Sequence, residues 1–310
     1  MRSQIDAMEK EGYQTEVVIL TNNSSPKGIL RNIRTWKSKI RQLGPCIVHA
    51  QYGSVTSLTA AWCKGNNPLV ISFCGDDILG TKQTGWAWAI RSRLMVWISH
   101  ISAFCADALI AKSSNIYNML WTAEQKKCTI IPNGVDLNTF THIDYVTARK
   151  QCGWGTDDFV VLFNPSSGNN AYVKNKPLAD AAFNLLKQQV PQAQMCLIEN
   201  NTYTEINGMM HGADVLLVTS LHEGSPNIVK EALACNLPVV TVNCGDVAER
   251  LSNVYPSAVT TEYNAAELAK HMAEISLLKK RCNGRSTLLE QGIDNISVKT
   301  KIKHIYNRLT

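Results

Sequence analysis

One stretch of the chain carries enough chemistry to start from. It is Ser220-Leu-His-Glu-Gly-Ser-Pro-Asn-Ile-Val-Lys-Glu231, followed by Ala-Leu-Ala-Cys-Asn-Leu-Pro-Val-Val. The order reads as a strand end, a tight loop, a helix and a further strand. Pro226 suits the first helical position, with Ser225 as its N-cap. The N–H groups of Asn227 and Ile228 would then point back over the loop. A helix N-terminus at the end of a parallel strand binds anions, phosphate above all. Glu223 precedes the helix and Glu231 lies in its second turn. Carboxylates accept protons from hydroxyl groups. The pattern therefore expects a ligand with hydroxyls at both ends and phosphate between them, which describes a nucleotide sugar. On pattern alone a second reading stays open, in which Glu223 is a surface carboxylate and Glu231 a helix residue that favours the dipole.

Such groups need a scaffold, and the chain offers one. Short apolar runs, rich in Val, Ile or Leu, alternate with helical segments. They are Glu16–Leu20, Cys46–His49, Leu69–Phe73, Ala108–Ala111, Cys128–Ile131, Phe159–Phe163, Gln194–Ile198, Val215–Val218 and Pro238–Val242. Runs of this kind read as strands buried on both faces of parallel sheets. Leu178–Gln189 and Ile228–Ala234 read as two of the intervening helices. Turn chemistry at Pro132-Asn133-Gly134 and polar sequence as far as Asp157-Asp158 mark a break, placed near residue 140. The expectation is α/β: two Rossmann-like units in tandem, with a cleft between them as the default ligand site. The chain opens in what reads as a helix, Gln4–Glu11, so the first unit reads as lacking its opening strand.

Several stretches, taken in order, resemble the retaining family 4 glycosyltransferases of the GT-B type. Glu223 and Glu231 have that family's Glu-x7-Glu spacing, and Ile131-Pro-Asn-Gly-Val-Asp-Leu-Asn-Thr-Phe140 looks like its interdomain signature. Ala213–Ser220, Pro68–Asp77 and Ala106–Ser113 also fit. The resemblance implies residues 1–140 as an acceptor-binding domain, with the helix at 296–310 packing back on it, and 141–295 as the donor domain. By the same resemblance Glu231 would hold ribose hydroxyls and Glu223 would face the donor sugar. Gly224, Ser225, Pro226, Asn227 and Ile228 would meet sugar and diphosphate through their backbone. Lys174, in Val-Lys-Asn-Lys-Pro-Leu-Ala, looks like the diphosphate lysine, with Lys176 as the alternative one half-turn on. Cys74, Gly75 and Asp76 would border the cleft from the first domain. No metal and no cofactor are implied, and no Asp-x-Asp is present. The reaction implied moves a sugar from a nucleotide diphosphate to a hydroxyl acceptor, in cell-envelope polysaccharide or glycolipid synthesis by family habit.

The chain departs from the family in four places. No opening strand with a glycine-rich loop reads ahead of the first helix, so either that piece precedes Met1 or the protein lacks it. No Arg precedes Lys174 in Ser167–Val173. Cys74 stands where many members carry a histidine. Only Glu199–Gly212 separates the strand ending at Ile198 from Ala213, so the base is not legible. These departures motivate an alternative: a catalytically deficient relative that binds nucleotide or partners a complete transferase.

The 310 residues carry a formal net charge of +6. Residues 1–140 hold 15 Lys/Arg and 9 Asp/Glu, so all the excess lies there. Six of these cations fall in Lys27–Arg41, a segment with no acid and with Ile33, Trp36 and Ile40 on one helical stripe. A basic helix containing Trp reads as a contact for an anionic membrane surface, a lipid-linked acceptor being one way to need it. The stripe alone reads equally as a core face. No nucleic-acid motif is present. The Trp-rich stretch Gly85–Trp97 reads as core, with the border of the acceptor site as the alternative. The ten Cys show no metal or disulfide spacing and read as reduced thiols, and the opening residues do not read as a signal peptide. A cytoplasmic protein, peripheral on the inner membrane face, is the expectation.

Overall fold

The computed structural model describes residues 5, 8–9, 12–20, 25–80, 85–165 and 172–310. Most of the opening helix read at Gln4–Glu11 and the stretch 167–171 lie outside them. The chain divides into two compact units, Met1–Asn133 with Asn295–Thr310, and Gly134–Asp294.

The first unit holds α1 (Pro26–Leu43), β1 (Val48–Ala50), α2 (Ser54–Cys63), β2 (Leu69–Phe73), α3 (Asp76–Leu79), α4 (Trp86–Phe104), β3 (Ala108–Ala111), α5 (Ser114–Asn118), α6 (Thr122–Gln125) and β4 (Cys128–Ile130). Its four strands pair in parallel in the order β1-β2-β3-β4. Period-two alternation splits their side chains between two layers. Leu69, Ile71 and Phe73 meet Trp36 of α1 and Ala60 of α2 on one face, while Val70, Ala108 and Ile110 meet the chain's last helix on the other. Ile33 and Ile40 pack beside Trp36, so the apolar stripe of α1 is a core face, capped by Ser25 accepting from the Gly28 N–H at 3.0 Å. Glu16–Leu20 is not a strand. Val18 and Leu20 tuck against the core but Val17 and Ile19 are exposed, so the run is covered on one side only and joins no ladder.

The second unit holds α7 (Tyr145–Cys152), β5 (Phe159–Phe163), α8 (Lys176–Gln189), β6 (Ala193–Leu197), α9 (Tyr203–Gly212), β7 (Val215–Val218), α10 (Asn227–Ala234), β8 (Val239–Val242), α11 (Val247–Leu251), β9 (Ala258–Thr260), α12 (Ala265–Leu278) and α13 (Gly284–Glu290). The parallel order is β6-β5-β7-β8-β9. The chain runs from β5 to one side and returns to place β7 on the other. That reversal opens a crevice beyond the carboxyl ends of β5 and β7, the place where open α/β sheets take ligands. Helix α14 (Asn295–Asn307) belongs to the first unit, where Val298, Ile302 and Ile305 pack on the sheet. All ten thiols are free, four of them buried.

Candidate functional site

The two loops at the β5/β7 reversal are tied together by hydrogen bonds to backbone carbonyls. Thr219 Oγ1 donates to the carbonyls of Lys174 at 2.7 Å and Asn175 at 3.2 Å, and the Leu221 N–H donates to the Val173 carbonyl at 2.8 Å. This staple brings two of the sequence-identified side chains into contact. Lys174 Nζ donates to Glu223 Oε1 at 2.6 Å, and Ser220 Oγ donates to the same oxygen at 3.1 Å. The Lys174 and Glu223 side chains are 17% and 21% exposed, so the pair sits at a surface opening. Lys176 goes elsewhere: it pairs with Asp180 at 2.7 Å along the exposed side of α8.

The helix start differs from the expectation. Pro226 is itself the N-cap, with an extended ψ of 119°, and α10 begins at Asn227. Ser225 does not cap. Its hydroxyl donates to Asp246 Oδ2 at 2.8 Å and accepts from Lys230 Nζ at 3.0 Å. Arg250 Nε also reaches Asp246 Oδ2, at 3.1 Å. Desolvation by burial raises the Asp246 pKa, and Lys230 and Arg250 oppose that. The buried network ties the 223–226 loop to the loop after β8, a fixed support for backbone N–H groups at the start of α10. Those first N–H groups have no intrahelical acceptor and face the crevice end of the sheet. Ile228 is buried and anchors the turn, while Asn227 is exposed.

Glu231 lies on the next turn of α10. Burial pushes its carboxyl up to about 7, partly offset by Lys230. Above about pH 7 the group is a carboxylate and can accept hydrogen bonds from hydroxyl groups.

Gly245 closes the floor. Its φ is +62°, and a Cβ there would lie 3.1 Å from the carbonyl oxygens of both Glu223 and Gly224. Gly245→Ala would add left-handed strain of about 1–2 kcal/mol and displace the loop. We expect kcat/KM to fall about tenfold to a hundredfold, since small misplacements cost that much; urea unfolding and initial rates check both effects. Gly245, Asp246 and Lys230 were not among the residues singled out from sequence. The available signal was Asn243-Cys-Gly-Asp246 directly after an apolar strand, a third loop at the same sheet edge.

In the first unit, Cys74, Gly75 and Asp76 occupy the turn at the carboxyl end of β2. The acid that organises the turn is the next one. Asp77 is buried and accepts from the N–H groups of Gly53 at 2.8 Å, Cys74 at 3.0 Å and Gly75 at 2.7 Å. Cys74 Sγ lies 3.6 Å from the Gln51 carbonyl, and burial pushes the thiol up to about 11. Lys112, at the end of β3, is 2% exposed, and its Nζ has no hydrogen-bond partner among the described residues. The Trp-rich stretch is not core: Trp86, Trp88 and Trp97 are 80%, 45% and 60% exposed. No cluster of His, Cys, Asp or Glu able to hold a metal exists among the described residues.

Comparison with known proteins bears on both units. The family model for glycosyl transferases group 1 matches residues 161–286, and that for glycosyltransferase family 4 matches residues 3–139. A glycosyltransferase of Methanocaldococcus jannaschii, itself described as uncharacterized, is 22% identical over 254 residues, covering 77% of this chain and 68% of that protein. Among solved structures, sucrose-phosphate synthase from Thermosynechococcus elongatus superposes with a TM-score of 0.74 at 17% identity, covering 91% of this chain and 78% of that one. Anabaena HepE, in complex with UDP and glucose, gives 0.70 at 18% identity, covering 98% and 88%.

Proposed function

Since the chain belongs to the family 4, group 1 glycosyltransferases and has their GT-B fold, we propose that it transfers a sugar from a nucleotide diphosphate to a hydroxyl acceptor with retention of configuration, without a metal. The observation that carries the reading is the Lys174–Glu223 pair at the β5/β7 reversal, beside the start of α10 and Glu231. HepE was crystallised with UDP and with UDP-glucose, which supports a nucleotide sugar as the donor class.

In this reading the ribose hydroxyls donate to Glu231, and the diphosphate sits at the α10 N-terminus. Donor binding exchanges partners: Lys174 turns from Glu223 to the diphosphate, and Glu223 turns to the sugar hydroxyls. In this reading no covalent glycosyl-enzyme forms, and the acceptor attacks the face that the leaving group departs. The leaving phosphate oxygen takes the acceptor proton, while Lys174 and the helix terminus offset the charge developing on the diphosphate. Asp77 holds the Cys74–Asp76 turn on the acceptor side, with Lys112 buried at that edge. The acceptor is proposed to be lipid-linked, in envelope polysaccharide or glycolipid synthesis, with the cations of Lys27–Arg41 meeting an anionic membrane on its cytoplasmic face.

The test is a panel of nucleotide sugars, titrated calorimetrically and then incubated with candidate lipid-linked acceptors, with the product anomer read by NMR. An axial product linkage from an axial donor is expected. An inverted product overturns retention. Donor binding without turnover on any acceptor favours the binding-only alternative, and no binding to any nucleotide sugar removes the donor site altogether.

A further inference from the structure

Helix α4 is amphipathic in the reverse sense. The side turned to its neighbours is polar and small, made of Ser99, His100, Ser102 and Ala103. Ser99 Oγ donates to the Asp77 carbonyl at 2.6 Å and accepts from the Ser54 N–H at 2.7 Å, and Ser102 shares a 2.5 Å hydrogen bond with Ser57 of α2. The outward side is Trp86, Ile90, Leu94, Trp97, Ile101 and Phe104, each between 46% and 80% exposed. Steps of three and four place all six on one stripe. Nineteen helical residues span about 28 Å, so the stripe is long as well as apolar. A water-facing surface of this kind marks an interaction site.

The charge around the stripe says what covers it. Arg91 and Arg93 are exposed on α4, and the Arg91 guanidinium lies over the Trp88 ring at 5.3 Å. Helices α1 and α4 both pack against α2, so they belong to one layer on the sheet. The apolar stripe of α1 is used up in the core, which leaves Lys27, Arg31, Arg34, Lys37 and Arg41 exposed. The sequence has no Asp or Glu between Glu16 and Asp76, and none between Asp77 and Asp107. A second copy of the chain would bring like charge against this layer. An anionic bilayer suits both parts: indole rings favour the headgroup level, aliphatic side chains the acyl boundary, and guanidinium groups the lipid phosphates. No helix among the described residues is long and apolar enough to cross a membrane, so the contact lies in the plane of the interface.

We propose that α4 is a membrane-docking helix, whose stripe from Trp86 to Phe104 inserts shallowly into an anionic lipid surface while Arg91, Arg93 and α1 hold the headgroups. The inference rests on the membrane part of the function proposed above, and it is independent of the transfer reaction.

The experiment uses the whole chain with vesicles of phosphatidylcholine alone, or mixed with phosphatidylglycerol. Sedimentation should show binding to the anionic vesicles that falls with salt, and brominated acyl chains should quench tryptophan emission. Leu94→Ser with Trp97→Ser should lower the partition coefficient at least about tenfold and remove most of the quenching, with the protein still folding cooperatively and melting only slightly lower, because both side chains are more than half exposed and Trp97 loses one edge contact with Trp121. Arg91→Gln with Arg93→Gln is a second probe, and should weaken binding several-fold and flatten the salt dependence. No binding to anionic vesicles overturns the proposal. So does wild-type binding by the Leu94/Trp97 variant; if Arg34→Gln with Lys37→Gln then abolishes binding, the membrane reading survives through α1 alone. A lipid-free dimer that the Leu94/Trp97 variant converts to monomer would identify a second copy as the occupant, and also overturns it. None of these readings depends on the donor site.

Discussion

Lys174→Ala should lower kcat about a hundredfold to a thousandfold, the usual loss when one preorganised donor to a developing charge is removed. The acceptor KM should change little, because the lysine acts on the leaving diphosphate. The variant also strands Glu223, whose only cationic partner among the described contacts is this lysine. A partly buried pair of this kind contributes about 1–2 kcal/mol, so a small fall in thermal stability should accompany the loss of rate. Glu223→Ala should weaken the donor sugar more than the free nucleoside diphosphate, since it leaves Lys174 available to phosphate. In the unliganded protein the stability losses of the two variants should be much less than additive, because the two side chains share one hydrogen bond there. Thermal melts on the four proteins measure that coupling, and steady-state kinetics read the separate roles in the donor complex. A Lys174→Ala enzyme within threefold of wild type would remove the lysine from the mechanism.

Glu231→Gln should gain stability and lose ligand. The carboxyl titrates at about 7 in the folded protein, raised by burial from an ordinary value of 4.5. The folded state therefore binds the proton more tightly than the unfolded chain. Stability from this group is present below about pH 4.5 and is lost as pH rises to about 7, by up to about 3 kcal/mol. Glutamine carries no charge to desolvate, so the variant should melt higher than wild type at pH 8 and similarly at pH 5. Donor binding should move the other way. The carboxylate accepts from ribose hydroxyls, and losing charge-assisted hydrogen bonds costs about 1.5–3 kcal/mol, or about tenfold to a hundredfold in Kd. Wild-type affinity should fall as pH drops below about 7, approaching tenfold per unit, and the variant should show a flat profile. Calorimetric titration from pH 5.5 to 8.5, paired with thermal melts, reads both. A variant that is less stable at pH 8 would show that the carboxylate is not carrying a burial cost.

The contrast between what was legible and what was not follows from how far the partners lie apart. Phe159–Phe163 and Val215–Val218 were readable because strands buried on both faces must be apolar throughout. Ala258–Thr260 is not legible, since its apolar run is only Ala258-Val259, too short to read as a strand. Glu16–Leu20 was over-read for the converse reason: its composition suits a strand, and nothing pairs with it. The Glu223/Glu231 spacing was visible locally. The role of Ser225 was not, because its partner Asp246 stands 21 residues on, and a buried carboxylate outcompetes the capping geometry for the hydroxyl. On α4 the composition suggested a core helix. The core side is instead held by Ser99, His100, Ser102 and Ala103, which turns the tryptophans outward.

The sequence by itself determined the α/β class, most of the central strands, the family, and the two glutamates with their helix, all of them properties written in local spacing and residue type. The tertiary structure alone decided that Lys174 rather than Lys176 meets Glu223, that Ser225, Asp246 and Lys230 brace the loop, and which face of each helix is covered. Those depend on the order in which strands line up in a sheet, and strand order is set by packing over distances that no local pattern records.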